Sequence, residues 1–304
     1  MNWEQFRAIV WLRWRLSRNQ FVRGGQLNAI LAVVVLVLLV CAAVGLAMGG
    51  LMSGVFLGVK APAPVLLLAW DGVMLVFLMF WMIGLLTEIQ RSESVDLTKL
   101  LHLPLTLQQV FVFNYAASHF TPSIAMLLPA MIGLCLGQAV GGGVRLVLLL
   151  PVVLAFLFMV TAWTYCLRGW LAALMVNKRR RRAVVVWVTI GFVLVFQLPN
   201  LFFNSSWFKD KTRNKPRQTQ GASSQPRSTR GGFELPEIVE QAHLAIPPGW
   251  VGYSAMSLKN GNAWPALGAT AASALLGAFG LMRAYRMTLR FYQGAQNGEA
   301  AKLA

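Results

Sequence analysis

Residues 27–47 read LNAILAVVVLVLLVCAAVGLA, and no charged side chain follows them until Lys60. Crossing about 30 Å of hydrocarbon at about 1.5 Å per residue takes about 20 apolar residues in a helix. Residues 27–47 meet that length. The whole uncharged stretch, residues 24–59, would reach about 54 Å as a helix, so part of it is expected to tilt, bend or re-enter. Working outward, five more runs qualify or nearly do: residues 65–86, interrupted only by Asp71; 110–140, containing Pro122 and Pro129; 146–166; 183–203; and 265–282, the weakest, rich in Ala and Gly. Lipid offers no water to unpaired backbone groups, so each run reads as a helix. The expected fold is an all-α integral membrane protein with six transmembrane helices.

Composition agrees. The 304 residues are 57% hydrophobic and 12% charged, with a mean hydropathy of +0.60, whereas soluble domains carry roughly a quarter charged residues. A soluble domain is excluded. The 27 Lys and Arg against 10 Asp and Glu give +17, a balance that suggests nucleic acid only in a soluble chain. In a membrane protein, basic residues gather on the cytoplasmic face and meet anionic lipid, so no nucleic-acid partner is expected. Cys41, Cys135 and Cys166 lie inside apolar runs, where a thiol packs as a small hydrophobe, and their spacing fits neither a disulfide framework nor zinc. Five Arg in the first 26 residues and no small-residue cleavage site speak against a cleaved signal peptide.

Orientation follows from the connections. Arg7, Arg13, Arg15, Arg18 and Arg23 precede the first span, Lys178, Arg179, Arg180, Arg181 and Arg182 separate the fourth from the fifth, and Arg283, Arg286 and Arg290 follow the sixth. With six spans these segments share one side, which places both termini in the cytoplasm of a plasma membrane, the inner membrane in a bacterium. The opposite short loops hold only Lys60 and Arg145. The polar stretch of residues 204–245, with Lys209, Lys211, Arg213, Lys215, Arg217, Arg227 and Arg230, is then external. Long loops translocate despite such charge. The rival topology makes the fifth or sixth run re-entrant.

The chain thus divides into residues 1–26, 27–203, 204–261 and 262–304. In the first, Trp3, Phe6, Val10 and Trp14 recur at helical spacing among arginines, which fits an amphipathic N-terminal interfacial helix or, more simply, a basic flank. Gly45/Gly49, Gly50/Gly54 and Gly54/Gly58 have the small-xxx-small spacing that lets helix backbones approach. Such pairs serve packing within one protomer or a dimer seam. In the external segment, residues 209–232 lack apolar periodicity and are expected to be mobile.

The connection between the second and third spans, residues 87–106, reads TEIQRSESVDLTKLLHLPLT. It is the one cytoplasmic connection with an acidic balance: Glu88, Glu93 and Asp96 against Arg91 and Lys99. Leu97, Leu100 and Leu101 line one side of a short helix expected to begin near Ser94 and stop before Pro104. Such a helix is suited to docking.

On Glu88, Arg91, Glu93, Leu97, Leu100, Leu101 and Pro104 the chain resembles the permeases of type-2 ATP-binding-cassette (ABC) transporters, of the exporter class. The resemblance implies that residues 88–104 are the coupling helix seated in a cleft of the ATPase subunit. The Gly common in the turn before that helix is replaced by Ser92 and Ser94. Residues 243–256, HLAIPPGWVGYSAM, are similar to the family's external Pro-Gly element, with Pro247, Pro248, Gly249 and Trp250 at its turn and a short apolar helix dipping into the outer leaflet. The span order and the large loop before the sixth span match as well.

No G-x-x-x-x-G-K-[ST] loop is present, so ATP and Mg are expected in a partner ATPase subunit, and this chain is not itself expected to be an enzyme. Asp71 is the one acid well inside a span. Intramembrane carboxylates are functional candidates, and pairing or water contact, a path or dimer contact with Gly45 and Gly49, and proton coupling are its readings in falling order. His102, His119 and His243 have no metal-ligand spacing, and no G-x-S-x-G elbow appears. The expected function is a permease subunit that forms the path with a second copy or a homologous permease. The rivals are a membrane scaffold or anchor and, less favoured, an ion-coupled carrier.

Overall fold

One helix, α1, runs unbroken through Gln26–Lys60, apolar on all sides and free of proline. The structure, a computed structural model, describes residues 26–91, 122–175 and 237–303, with isolated positions between 108 and 119 and between 186 and 197. The N-terminal interfacial helix, the fifth run and the basic external stretch up to residue 236 lie outside the described residues, the isolated positions apart. The first run and its uncharged continuation form one helix of 35 residues, about 52 Å long.

Five helices follow among those that position the site. They are α2 (Ala63–Arg91), α3 (Pro122–Gly142), α4 (Leu149–Met175), α5 (Glu237–Ala245) and α6 (Gly249–Lys259), and α7 (Trp264–Leu303) closes the series. A 3-10 turn, Val144–Leu148, joins α3 to α4. No strand occurs among the described residues. Five helical stretches are long and apolar enough to cross a membrane: Val33–Lys60, Ala63–Leu85, Ser123–Gly142, Val144–Leu167 and Trp264–Leu289. The sixth run is therefore long and apolar enough to span.

Two compact units divide the chain, Met1–Gly169 with Glu234–Ala304, and Trp170–Phe233. The second holds the end of α4 and isolated helical positions between Val186 and Gln197. In the first, α1 and α3 lie side by side through glycine. Ala47 faces Gly133, Leu51 faces Gly137 and Val55 faces Gly141, each step four residues on in both helices. The helices are thus parallel. A Cβ on Gly54 would stand 2.5 Å from the Leu134 carbonyl oxygen, and one on Gly58 would stand 2.8 Å from the Gly142 nitrogen. Only glycine permits that approach. In lipid no hydrophobic force joins helices, so close backbone contact, at about 0.1–0.2 kcal/mol per atom pair, supplies the attraction.

The remaining directions follow from side-chain pairs. Trp70 meets Gln138 and Ser123 meets Phe80, so α2 runs against α3. Phe77 packs on Phe156 and Trp81 bonds to Thr164, so α4 runs with α2. Phe158 lies at Gly277 and Trp163 at Gly280, so α7 runs with α4. The core between them is Trp70, Met74, Phe77, Leu149, Val153 and Phe156, all essentially inaccessible. Trp70 Nε1 donates to Gln138 Oε1 at 3.1 Å and Trp81 Nε1 donates to Thr164 Oγ1 at 3.0 Å, so each indole polar group is satisfied where it is buried. A second aromatic cluster joins Phe111, Tyr115, Tyr165 and Tyr285 edge to face. The lipid-type surface is plainest on α1, where Val33, Leu36, Val40, Val44, Met48 and Met52 are exposed.

Candidate functional site

Asp71 lies eight residues into α2, about 12 Å from its start at 1.5 Å per residue. Its partner is His243. The imidazole Nε2 and the carboxylate Oδ2 are 2.7 Å apart. The other ring nitrogen, Nδ1, is 2.6 Å from the Val239 carbonyl oxygen, one turn earlier in α5. A carbonyl can only accept, so Nδ1 carries a proton and donates. Nε2 then faces an oxygen that bonds to it only if a second proton lies between them. The pair is either imidazolium with carboxylate or imidazole with carboxylic acid, and in both forms it is neutral and holds that shared proton.

Glycines set the fit around this bond. A Cβ on Gly249 would meet the His243 backbone at 2.9 Å, and one on Gly252 would stand 2.8 Å from Asp71 Oδ1 and 3.0 Å from the Leu67 carbonyl oxygen. The first turn of α6 is thereby pressed onto both partners. The turn Ile246-Pro247-Pro248 reverses the chain between α5 and α6, with Gly249 N donating to Ile246 O and Trp250 Nε1 to Leu244 O at 2.9 Å each. Proline suits these positions because it supplies no N–H to satisfy. From the level of Asp71, α6 climbs back toward the start of α2, burying Val251, Ala255 and Leu258. At its end Lys259 donates to the Gly58 carbonyl of α1, and Arg145 donates to the Gly261 carbonyl at 3.3 Å. Both cations stand where helix ends expose carbonyl oxygens, which favours positive charge. The pair of α5 and α6 is a helical hairpin, seated at the end of the bundle where α1 and α3 finish.

The His243 side chain is 14% exposed and that of Asp71 31%, so the pair is half-covered and within reach of water. The hydrogen bond to Asp71 raises the imidazole pKa above its usual 6.5, against the lowering effect of burial, and the Val239 carbonyl adds to the rise.

Of the sequence-singled residues, Asp71 and the Pro247-Pro248-Gly249-Trp250 turn are brought together through His243. Gly45 and Gly49 are not part of this arrangement, and both face open space. Glu88 and Arg91 are on the last turns of α2. Glu93, Asp96, Leu97, Leu100, Leu101 and Pro104 lie outside the described residues. His243 was not expected as the partner. The available signal was that a carboxylate inside a span needs a proton donor, and the second apolar element to enter the same end carries a histidine just before its turn. No cluster suited to a metal ion occurs among the described residues.

These features define a multi-pass helical membrane protein with a helical hairpin held by a half-covered Asp–His pair. No family model, curated protein or solved structure matches the chain.

Proposed function

We propose that this chain is the membrane-spanning permease subunit of an ATP-driven exporter of the type-2 ABC class, working with a second permease and two ATPase subunits that bind ATP and Mg. The observation that carries the reading is the hairpin of α5 and α6, which precedes the final span and is tied to the second span through His243 and Asp71. A six-span arrangement with cytoplasmic termini is supported by helix direction. Helices α4 and α7 run the same way, and the hairpin stands at the end where α4 begins. A further crossing between Met175 and Glu237 fits these directions, and residues 183–203 are the apolar run available for it. The acidic-leaning connection 88–104 then follows the opposite end of α2, on the side of the basic segments.

In this reading, closure of the ATPases pushes on residues 88–104, and α2 carries the displacement as a stiff lever toward the hairpin. Leu97→Asp with Leu101→Asp, made in the full chain, removes the docking face. Loss of ATPase co-purification with normal membrane insertion is the expected result, and undiminished capture of the ATPase sinks the assignment. A proton-driven carrier has one observation in its favour, the shared proton at Asp71 and His243. It requires transport that collapses with an uncoupler and with Asp71→Asn, where the exporter requires neither.

A further inference from the structure

We propose that Asp71 and His243 form a proton-operated latch that fastens the hairpin of α5 and α6 to α2, closed while the proton is between Nε2 and Oδ2 and released when it leaves.

The acceptors around the ring impose this behaviour whether or not the chain is a permease. With Nδ1 committed to the Val239 carbonyl, the neutral imidazole presents a lone pair at Nε2. A carboxylate 2.7 Å away presents another. Without the proton these two repel at contact distance, in a site half-shielded from water where such repulsion is strong. With it they form a charge-assisted bond. The same 2.7 Å approach is therefore attractive in one protonation state and repulsive in the other.

Among the described residues, the charged and titratable groups around the ring offer no substitute donor. From α2 the charged group facing the ring is Asp71; α6 meets the ring and the carboxylate through Gly249 and Gly252. The titratable groups of α6 are Tyr253 and Lys259, and the ammonium of Lys259 is engaged at Gly58. On α5 itself Glu240 stands three residues before His243 and can only add negative charge. Because both glycines lie against the pair, the latch also decides whether the first turn of α6 can stay pressed to α2. The far end of α6 is held separately by Lys259 and by the buried Val251, Ala255 and Leu258. Release is thus expected to free α5 and the turn while α6 stays anchored at its C-terminal end.

The test is hydrogen exchange of residues 237–259 in the purified full chain from pH 5.5 to 9, each rate divided by the intrinsic rate at that pH. Normalised exchange of α5 is expected to accelerate as pH rises, by up to about tenfold for each unit that separates the docked from the undocked imidazole pKa, while the C-terminal half of α6 stays protected. Asp71→Asn is expected to flatten the dependence, since the amide donates to a neutral Nε2 and accepts from a charged one. Nitrogen-15 shifts of the His243 ring, recorded on the wild-type chain, should show a protonated Nδ1 throughout and loss of the Nε2 proton over the same pH range as the acceleration. Exchange of α5 that is flat with pH in the wild-type chain, or an Asp71→Asn chain with the wild-type slope, overturns the latch.

Discussion

Replacing Gly54 with alanine tests the contact that joins α1 to α3. The new Cβ would lie 2.5 Å from the Leu134 carbonyl oxygen and 3.0 Å from both the Gln138 nitrogen and the Gly137 Cα. All three are backbone atoms, so no rotamer change relieves the overlap. Ordinary contact begins near 3.4 Å, and the helices must part locally by up to about 0.9 Å. A gap of about that size forfeits a quarter to a half of the dispersion at each neighbouring atom pair. Overpacking of this kind costs about 1–3 kcal/mol. Alanine returns about 1 kcal/mol as a better helix former, leaving a net loss of up to about 2 kcal/mol.

Gly49, five residues earlier, has no atom within 4 Å of the same built position. There only the helix-former term acts, so Gly49→Ala should be neutral or stabilising by up to about 1 kcal/mol. The two substitutions are chemically identical and predicted to differ in sign. Unfolding in mixed micelles, titrated with dodecyl sulfate and followed by steric trapping on the monomeric chain, resolves such a difference. Equal losses for Gly49→Ala and Gly54→Ala would refute the register. Gly137→Ala should behave as Gly54→Ala does, and because the two glycines face each other the double variant should lose less than the sum.

Trp70→Phe should cost about 1–3 kcal/mol, because it leaves the Gln138 carboxamide oxygen buried without its donor, and adding Gln138→Met should recover most of that loss in a double-mutant cycle. In a cysteine-free background, Asn262→Cys on the exposed turn before α7 should react with an impermeant maleimide added outside intact cells; labelling only after lysis would invert the proposed orientation. Stability should fall with alkalinity. The imidazole pKa of His243 is raised above its usual 6.5 in the folded chain, so the pair's contribution is complete below 6.5 and is lost as pH climbs through the raised value. A pH series of thermal unfolding checks the slope, which Asp71→Asn should remove.

Helix existence was readable from the sequence because lipid demands it: apolar runs of span length have few other ways to satisfy their backbone. Which faces meet was less readable. Residues 45, 49, 50, 54 and 58 are all glycine, and their spacing alone defines two stripes on α1 without saying which is covered. The answer lay in a second set, Gly133, Gly137 and Gly141, whose own four-residue step matches Gly50, Gly54 and Gly58 and leaves Gly45 and Gly49 open. A small-residue stripe acquires a meaning only from a complementary stripe, and that complement is 80-odd residues away with two reversals of direction in between, a separation of about the whole of α2 and the connection after it.

The same logic explains why Asp71 was visible as a candidate and His243 was not. A carboxylate in an apolar run stands out because its burial is costly wherever the chain goes. A histidine in a polar connecting segment carries no such cost in sequence and gains its role only when the Pro247-Pro248 turn folds α6 back along α2 and brings α5 to the level of Asp71. The cost of the acid and the reversal of the hairpin are then one problem with one solution. Placing a protonatable donor beside the turn of the hairpin neutralises the carboxylate, and the hairpin is held in turn by the charge it neutralises. A hydrophobic pair at these two positions would pack as well at every pH. The residues present instead make docking of the hairpin conditional on a proton, which is the property that the exchange experiment and the alkaline loss of stability both read.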